Sequence, residues 1–247
     1  MEKMYKFFTV LVIIVTLVVF NLGFVYAMNK AEIQQQLPQE ALKIQEEMHK
    51  AFDTENYNKV ISFADDMVTL YPDNKAVLLI SYNAKIGAYV ALKDKNNAER
   101  FLQSAYDLDP TCTLVMFYKG LLFYKDGKYA DAIPYYTKCI DGESNGDSAS
   151  AYNNRGYCFL KLQDYSSALN DFKMAIALKP DVFNYYYNEG YAYYMLKDYD
   201  AAVKSFSKAL LYKPNNKLSY KYRAKCYRAL GAEEQAIQDE RRANALN

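Results

Sequence analysis

The chain has 247 residues, 51% of them hydrophobic and 24% charged, which suits one or two folded domains and excludes disorder over most of its length. Lysine and arginine (30) nearly balance aspartate and glutamate (29), for a net charge of +1 with no run of five like charges. That excludes the broad basic surface of a general nucleic-acid binder, so any recognition by charge must be local.

Residues 1–27, MEKMYKFFTVLVIIVTLVVFNLGFVYA, begin with Lys3 and Lys6, run apolar from Phe7 to Phe20, loosen at Asn21 and Gly23, and close on Val25, Tyr26 and Ala27. This is the layout of a secretory signal peptide cut after Ala27. The alternative is an uncleaved anchor, because Phe7 to Ala27 is just long enough to cross a hydrocarbon layer of about 30 Å. Either reading places the rest of the chain outside the cytoplasm. Residues 28–40 are expected to form a linker or a leading helical segment.

From Ala41 onward the chain repeats itself every 34 residues. The blocks are 41–74, 79–112, 113–146, 149–182, 183–216 and 217–247. Residues Lys75 to Leu78 intrude after the first block and read as one added helical turn; Asp147 and Ser148 intrude after the third. The period is plainest late in the chain, where Tyr152, Tyr186 and Tyr220 are in register, as are Gly156, Gly190 and Ala224, and Ala168, Ala202 and Ala236. A fixed period of this length signals stacked supersecondary units.

Blocks 149–182 and 183–216 resemble the tetratricopeptide repeat. Both carry its aromatics at positions 4, 11 and 24, its Gly or Ala at 8, its Ala at 20 and 27 and its Pro at 32. They depart from it at position 7, where the family has Leu and this chain has Arg155 and Glu189. The other blocks keep fewer of these residues, the first fewest.

The residues support that resemblance independently. Positions 4, 8 and 11 fall on one helical stripe and 20, 24 and 27 on another. The polar breaks LQDY and LKDY separate them, and proline after each second helix prevents its continuation. Each block is therefore expected to be a helical hairpin, and since one hairpin cannot bury both stripes alone, the whole should be all-α: a right-handed superhelical solenoid of about six helix-turn-helix repeats. Pro134 falls about a turn into its helix, where few hydrogen bonds are at stake. In the last helix Glu240 stands where other repeats have an aromatic, which suits a polar terminal cap and a monomer.

Catalytic chemistry finds little foothold. His49 is the only histidine and reads as a solvated helix residue; no nucleophile motif, phosphate loop or dinucleotide turn is present. No enzyme activity, cofactor or metal is expected. Cys139 and Cys158 fall on helices that should touch, so a disulfide is conceivable, although cysteines at such positions also pack as small apolar residues. The loop Asp141 to Asp147, DGESNGD, has the oxygen pattern of part of a calcium loop but lacks the closing acid, and reads better as a flexible joint.

The family resemblance implies that first helices line a concave face, with ligand contacts at positions 2, 5, 9, 12 and 13. Carried over, the candidate groove includes Phe117, Leu121, Tyr124 and Lys125, then Asn153, Tyr157 and Lys161, then Tyr187, Tyr191 and Tyr194, and finally Lys221, Lys225 and Arg228. Tyr186 and Tyr193, at positions 4 and 11, are instead expected in the core, and Tyr185 against the preceding repeat. The last three groove residues form a basic stripe suited to an acidic segment. The expected function is an exported scaffold that binds a peptide segment of a partner protein. The alternative is a structural or self-assembling envelope component that uses its end faces.

Overall fold

A computed structural model describes residues 37–142 and 148–246. The expected signal segment lies outside the described residues, as does 143–147 of the calcium-like loop. The described residues form twelve α-helices and no strand: α1 (Gln39–Asp53), α2 (Tyr57–Leu70), α3 (Lys75–Ala91), α4 (Lys95–Leu108), α5 (Thr113–Lys125), α6 (Tyr129–Gly142), α7 (Ala149–Lys161), α8 (Tyr165–Leu178), α9 (Phe183–Met195), α10 (Tyr199–Tyr212), α11 (Lys217–Ala229) and α12 (Glu233–Ala245). This is the all-α helical-repeat fold read from the period. Lys75 to Leu78 form the first turn of α3. The chain divides into two compact units, one ending at Lys119 and one beginning at Gly120, with the boundary inside α5.

Every hairpin turns in the same way. A residue with positive φ sits at the fifteenth position of each block: Glu55, Lys93, Gly127, Gln163, Lys197 and Gly231. The next amide then reaches back to the first helix, as Asp164 N does to Phe159 O and Asp198 N to Tyr193 O, each at 2.9–3.0 Å. This left-handed residue closes off the orphan carbonyls of the first helix. In four of the hairpins the sixteenth residue caps the second helix, with Asn56, Asp94, Asp164 and Asp198 each accepting the amide three residues on. One short sequence thus ends one helix and starts the next.

In unit 2 the two helices of a hairpin meet at a glycine. A Cβ on Gly156 would lie 2.9 Å from the Phe172 ring, one on Gly190 2.9 Å from Phe206, and one on Gly120 2.9 Å from Tyr136. These are positions 8 and 24 of their blocks, and all three rings are fully buried. Pro134 is the sixth residue of α6 and lacks only the N–H that would reach Ala130. Ala132, Tyr136 and Cys139, buried around it, hold the helix in place.

Packing corrects the core assignment within first helices. Positions 4 and 11, Tyr186 and Tyr193 in α9, are only half-buried. The Tyr186 ring stacks on Tyr212 at 5.5 Å, and its hydroxyl donates to Pro180 O at 2.9 Å. The fully buried residues stand one place earlier: Ala151 and Cys158, Tyr185 and Ala192, Ser219 and Cys226. A first helix is covered both by its own partner and by the neighbouring hairpin, so its buried arc is displaced toward that neighbour. Tyr185 accordingly lies against the preceding first helix, its hydroxyl 3.5 Å from Ser150 Oγ.

All four cysteines are buried thiols, Cys139 and Cys158 included, so they serve as packing residues. Burial pushes the Cys158 and Cys226 thiols up to about 12. His49 is half-buried rather than solvated, and burial pulls its pKa below the usual value. Among the described residues no helix is long and apolar enough to cross a membrane.

Candidate functional site, a tyrosine row on the first helices of unit 2

The groove candidates separate once their burial is known. Leu121 is 1% exposed, Phe117 6% and Asn153 5%, so none of the three presents a surface to a ligand. Helix α5 explains the first two: its sequence TLVMFYKGLLFYK is apolar on nearly every face, and such a helix is covered on all sides. Phe117 moreover belongs to unit 1, where it packs edge-on against Tyr118. The Asn153 side chain accepts from the Asn188 amide at 2.9 Å and donates to Asn154, a hydrogen-bonded contact between α7 and α9. Lys125 is half-buried at the end of α5.

Arg228 is also reassigned. Its guanidinium meets Glu240 at 2.7 and 3.1 Å and Glu233 at 3.2 Å, so it joins α11 to α12 instead of extending a free basic stripe. Glu240 stands where the three preceding repeats place the rings of Tyr136, Phe172 and Phe206, and its carboxylate there pairs with the Arg228 cation. Lys221 and Lys225 remain exposed.

The remaining candidates come together in unit 2. Tyr124 from α5 meets Tyr157 from α7 with ring centroids 5.4 Å apart and planes at 69°. Tyr191 from α9 meets Tyr222 from α11 at 5.0 Å and 86°. Tyr194 joins the second pair, 5.4 Å from Tyr222. Edge-to-face contacts of this kind are favourable because the positive ring edge meets the negative face. Tyr157 and Tyr191 pack on one apolar cluster around Leu160, Phe172 and Ala192, which makes the two pairs continuous. All five tyrosines are half-buried, so each is part structure and part surface.

Tyr187 was also expected along the groove, but it turns further inward, 5.9 Å from the Phe206 ring. Burial raises its phenol well above the usual range, as it does that of Tyr124. Burial and the neighbouring Tyr191 push Tyr222 up to about 12. Tyr222 was not among the expected residues. Its signal was its sixth place in the last block, where the preceding blocks have Asn154 and Asn188.

Lysines flank both pairs. Lys161 Nζ stands 5.2 Å from the Tyr157 centroid and Lys225 Nζ 5.0 Å from that of Tyr222, within cation–π range. Acidic groups are scarce: across α5, α7, α9 and α11 the only carboxylate is Glu189, and it accepts from Ser205 Oγ at 2.6 Å. The surface can therefore offer aromatic faces, phenol hydroxyls and ammonium groups together.

Models of the tetratricopeptide repeat match residues 84–148, 149–182 and 183–216, that is 133 of the 247 residues. The chain belongs to the tetratricopeptide repeat family. The curated relatives that this tetratricopeptide repeat protein matches align with it over part of its length. It is 41% identical over 63 residues to the DnaJ homolog subfamily C member 7 homolog of Schizosaccharomyces pombe, covering 26% of this chain and 13% of that one. It is 34% identical over 92 residues to Hsp70-Hsp90 organizing protein 3 of Arabidopsis thaliana, covering 36% and 16%. The matched stretches thus span less than a fifth of either relative.

Among solved structures it is similar to MamA, with a TM-score of 0.59 and 22% identity over 65% of this chain and 92% of that one. It is also similar to YrrB, described as a TPR protein with an unusual peptide-binding site, with a TM-score of 0.61 and 18% identity over 74% and 93%. At such identities the likeness shows the helical-repeat fold.

Proposed function

We propose that this protein is an exported, non-enzymatic scaffold that holds an acidic, extended segment of a partner protein against the tyrosine row of unit 2. The observation that carries this reading is the pairing of half-exposed tyrosines with lysines on first helices whose one carboxylate is already hydrogen-bonded. Aromatic side chains supply contact area with little entropy to lose. Lysines supply orientation and attract acidic groups. The N-terminal apolar segment supports export, whether it is cut or retained as an anchor.

The test must separate contact from stability. Tyr191 and Tyr194 pack against Tyr222 and belong to the cluster around Phe206, so alanine at these sites would cost folding energy as well as binding. Exposed Lys161 and Lys225 are better probes. A partner retained by the wild-type chain should be lost with Lys161→Glu/Lys225→Glu and released by about 0.5 M salt, which shrinks the screening length to a few ångströms. Equal retention by the variant would overturn this reading.

A further inference from the structure

From Ala201 to Ala232 the chain carries eight cations and no carboxylate. Three of the eight are engaged: Arg223 meets Asp239, Arg228 meets Glu233 and Glu240, and Lys217 Nζ donates to Leu246 O. Lys213 Nζ stands 5.3 Å from the Phe183 ring. Lys225 stands over the Tyr222 ring, with Lys221 one turn before it on α11. Lys204 and Lys208 belong to a different surface.

Helix α10 turns Ala202, Ser205, Phe206, Ala209 and Leu210 inward. Lys204, Lys208 and Leu211 follow one another at steps of four and three residues, so they share a single stripe on the opposite side, and all three are exposed. Leu211 is 68% exposed and Tyr212 beside it 42%. The one carboxylate of the stripe, Asp200, lies at the other end of the helix, about 16 Å from Leu211 at 1.5 Å per residue. Leu210, Tyr220 and Ala243 form one cluster, which sets the end of α12 beside the end of α10. Exposed Arg242, 5.9 Å from the Tyr220 ring, adds a cation to the same margin. Phe206, on the inward side of α10, stacks on Tyr222, so the stripe faces away from the tyrosine row.

Protein-binding patches are depleted in lysine and seldom use leucine as an anchor. A leucine and a tyrosine among lysines suit a bilayer surface better. There leucine enters the acyl boundary and tyrosine sits at the headgroup level, while lysine stems lie along apolar surface and their ammonium groups meet phosphates. Lys208 and Lys204 stand about 5 and 10 Å from Leu211 along the helix, close enough for all three to touch one such surface.

We propose that the outer stripe of α10, Lys204, Lys208, Leu211 and Tyr212, together with Arg242 of α12, rests on an anionic lipid surface. Contact through so few side chains is weak and reversible by itself, and stable attachment takes a second signal. The N-terminal apolar segment, where it is retained, is that second signal. The tyrosine row stays open to a partner while the stripe is in contact.

The chain has no tryptophan, so Leu211→Trp gives the full chain a single reporter in the stripe, and Leu230→Trp gives one at the exposed far end of α11. Each variant is mixed with vesicles of phosphatidylcholine, with or without phosphatidylglycerol, in which some lipid is brominated near the top of the acyl chains. With phosphatidylglycerol, the Leu211→Trp emission should shift to the blue and lose about half its intensity to the brominated lipid, as a side chain at the acyl boundary does. Leu230→Trp should show neither change, and nor should Leu211→Trp on phosphatidylcholine alone. Adding Lys204→Glu/Lys208→Glu to Leu211→Trp, or raising salt to about 0.5 M, should abolish both effects. Equal quenching of the two reporters, or no response of either, would overturn the proposal. So would a blue shift without vesicles: one that grows with protein concentration assigns the stripe to a second copy, and one produced by poly-glutamate assigns it to an acidic protein.

Discussion

At the scale of single residues, the left-handed turn residue shows how a repeat tolerates local strain. Gly127 and Gly231 adopt positive φ without a Cβ to object, whereas Lys197 and Gln163 adopt φ of 62° and 65° with one. The cost to an L-residue there is about 1–2 kcal/mol. It is offset by the hydrogen bonds that the turn makes to the first helix. Lys197→Gly should therefore raise stability by about 0.5–1 kcal/mol, the relief of strain exceeding the added freedom of the unfolded chain. Urea unfolding of the two proteins side by side checks this, and a loss of stability would show that Lys197 contributes more than its backbone.

The same turn marks what a sequence reading could reach. The left-handed turn was not read from the sequence: glycine stands at position 15 in only two blocks, and Glu55, Lys93, Gln163 and Lys197 carry no such mark. At Gln163 and Lys197 it accompanies the close approach of the two helices at Gly156 and Gly190, whereas the blocks of Glu55 and Lys93 have Met48 and Ile86 at that place. Groove assignments by position fared differently: Tyr124, Tyr157, Tyr191 and Tyr194 share one face, while Leu121 and Asn153 do not reach it. A position number gives the direction of a Cβ from its own helix and says nothing of what the next hairpin lays over it.

At the scale of elements, the departures at position 7 prove to be organised. Arg155 in α7 forms a double hydrogen bond to Asp171 in α8, at 2.8 and 2.9 Å, and a third to Thr137 in the preceding hairpin at 3.0 Å. Arg223 in α11 repeats this with Asp239 at 2.7 and 2.8 Å and Ser207 of the preceding hairpin at 2.8 Å. Between them, Glu189 in α9 takes its proton donor from Ser205; burial raises its pKa, while that hydroxyl and Lys173 of the preceding hairpin pull it partly back. In unit 1, Lys85 contacts Asp65 of the preceding hairpin and stands 4.6 Å from the Phe101 ring. The sequence showed the charges at position 7 but not their partners, which lie sixteen or more residues away.

These are nearly dry ion pairs. Asp171 is 4% exposed, so removing its partner strands a charge. Arg155→Leu should cost about 3–5 kcal/mol, the usual penalty for breaking a buried pair. The double change Arg155→Leu/Asp171→Leu should recover most of that loss, because two apolar residues of similar volume often match a buried pair in stability. Thermal or urea unfolding of the two variants decides the matter. A double change no better than the single would mean that Thr137 and the surrounding packing, and not the stranded carboxylate, set the cost.

At the scale of the whole molecule, the last described helix has two unlike faces. Helix α12 turns Ala236, Asp239 and Ala243 inward and leaves Glu234, Gln235, Gln238, Arg241 and Arg242 in solvent. Lys217 Nζ donates to Leu246 O at 2.8 Å, which ties the last turn back to the start of α11. With Ile237 as its one large apolar residue in solvent, α12 presents a mostly polar outer face. We propose that the chain is a monomer, in which case light scattering gives a mass independent of concentration. A mass rising with concentration would favour the self-assembling envelope component over the peptide scaffold.

The charges at position 7 also bear on how such an array could change by gain or loss of whole modules. Excising residues 183–216 would rejoin two well-formed hairpins in perfect 34-residue phase. Yet Arg223 would then meet Lys173, where it now meets the hydroxyl of Ser207. Cation would face cation across the splice. The repeats look interchangeable when written one beneath another, but each seam carries its own polarity, and the order of the modules is written into the joints between them.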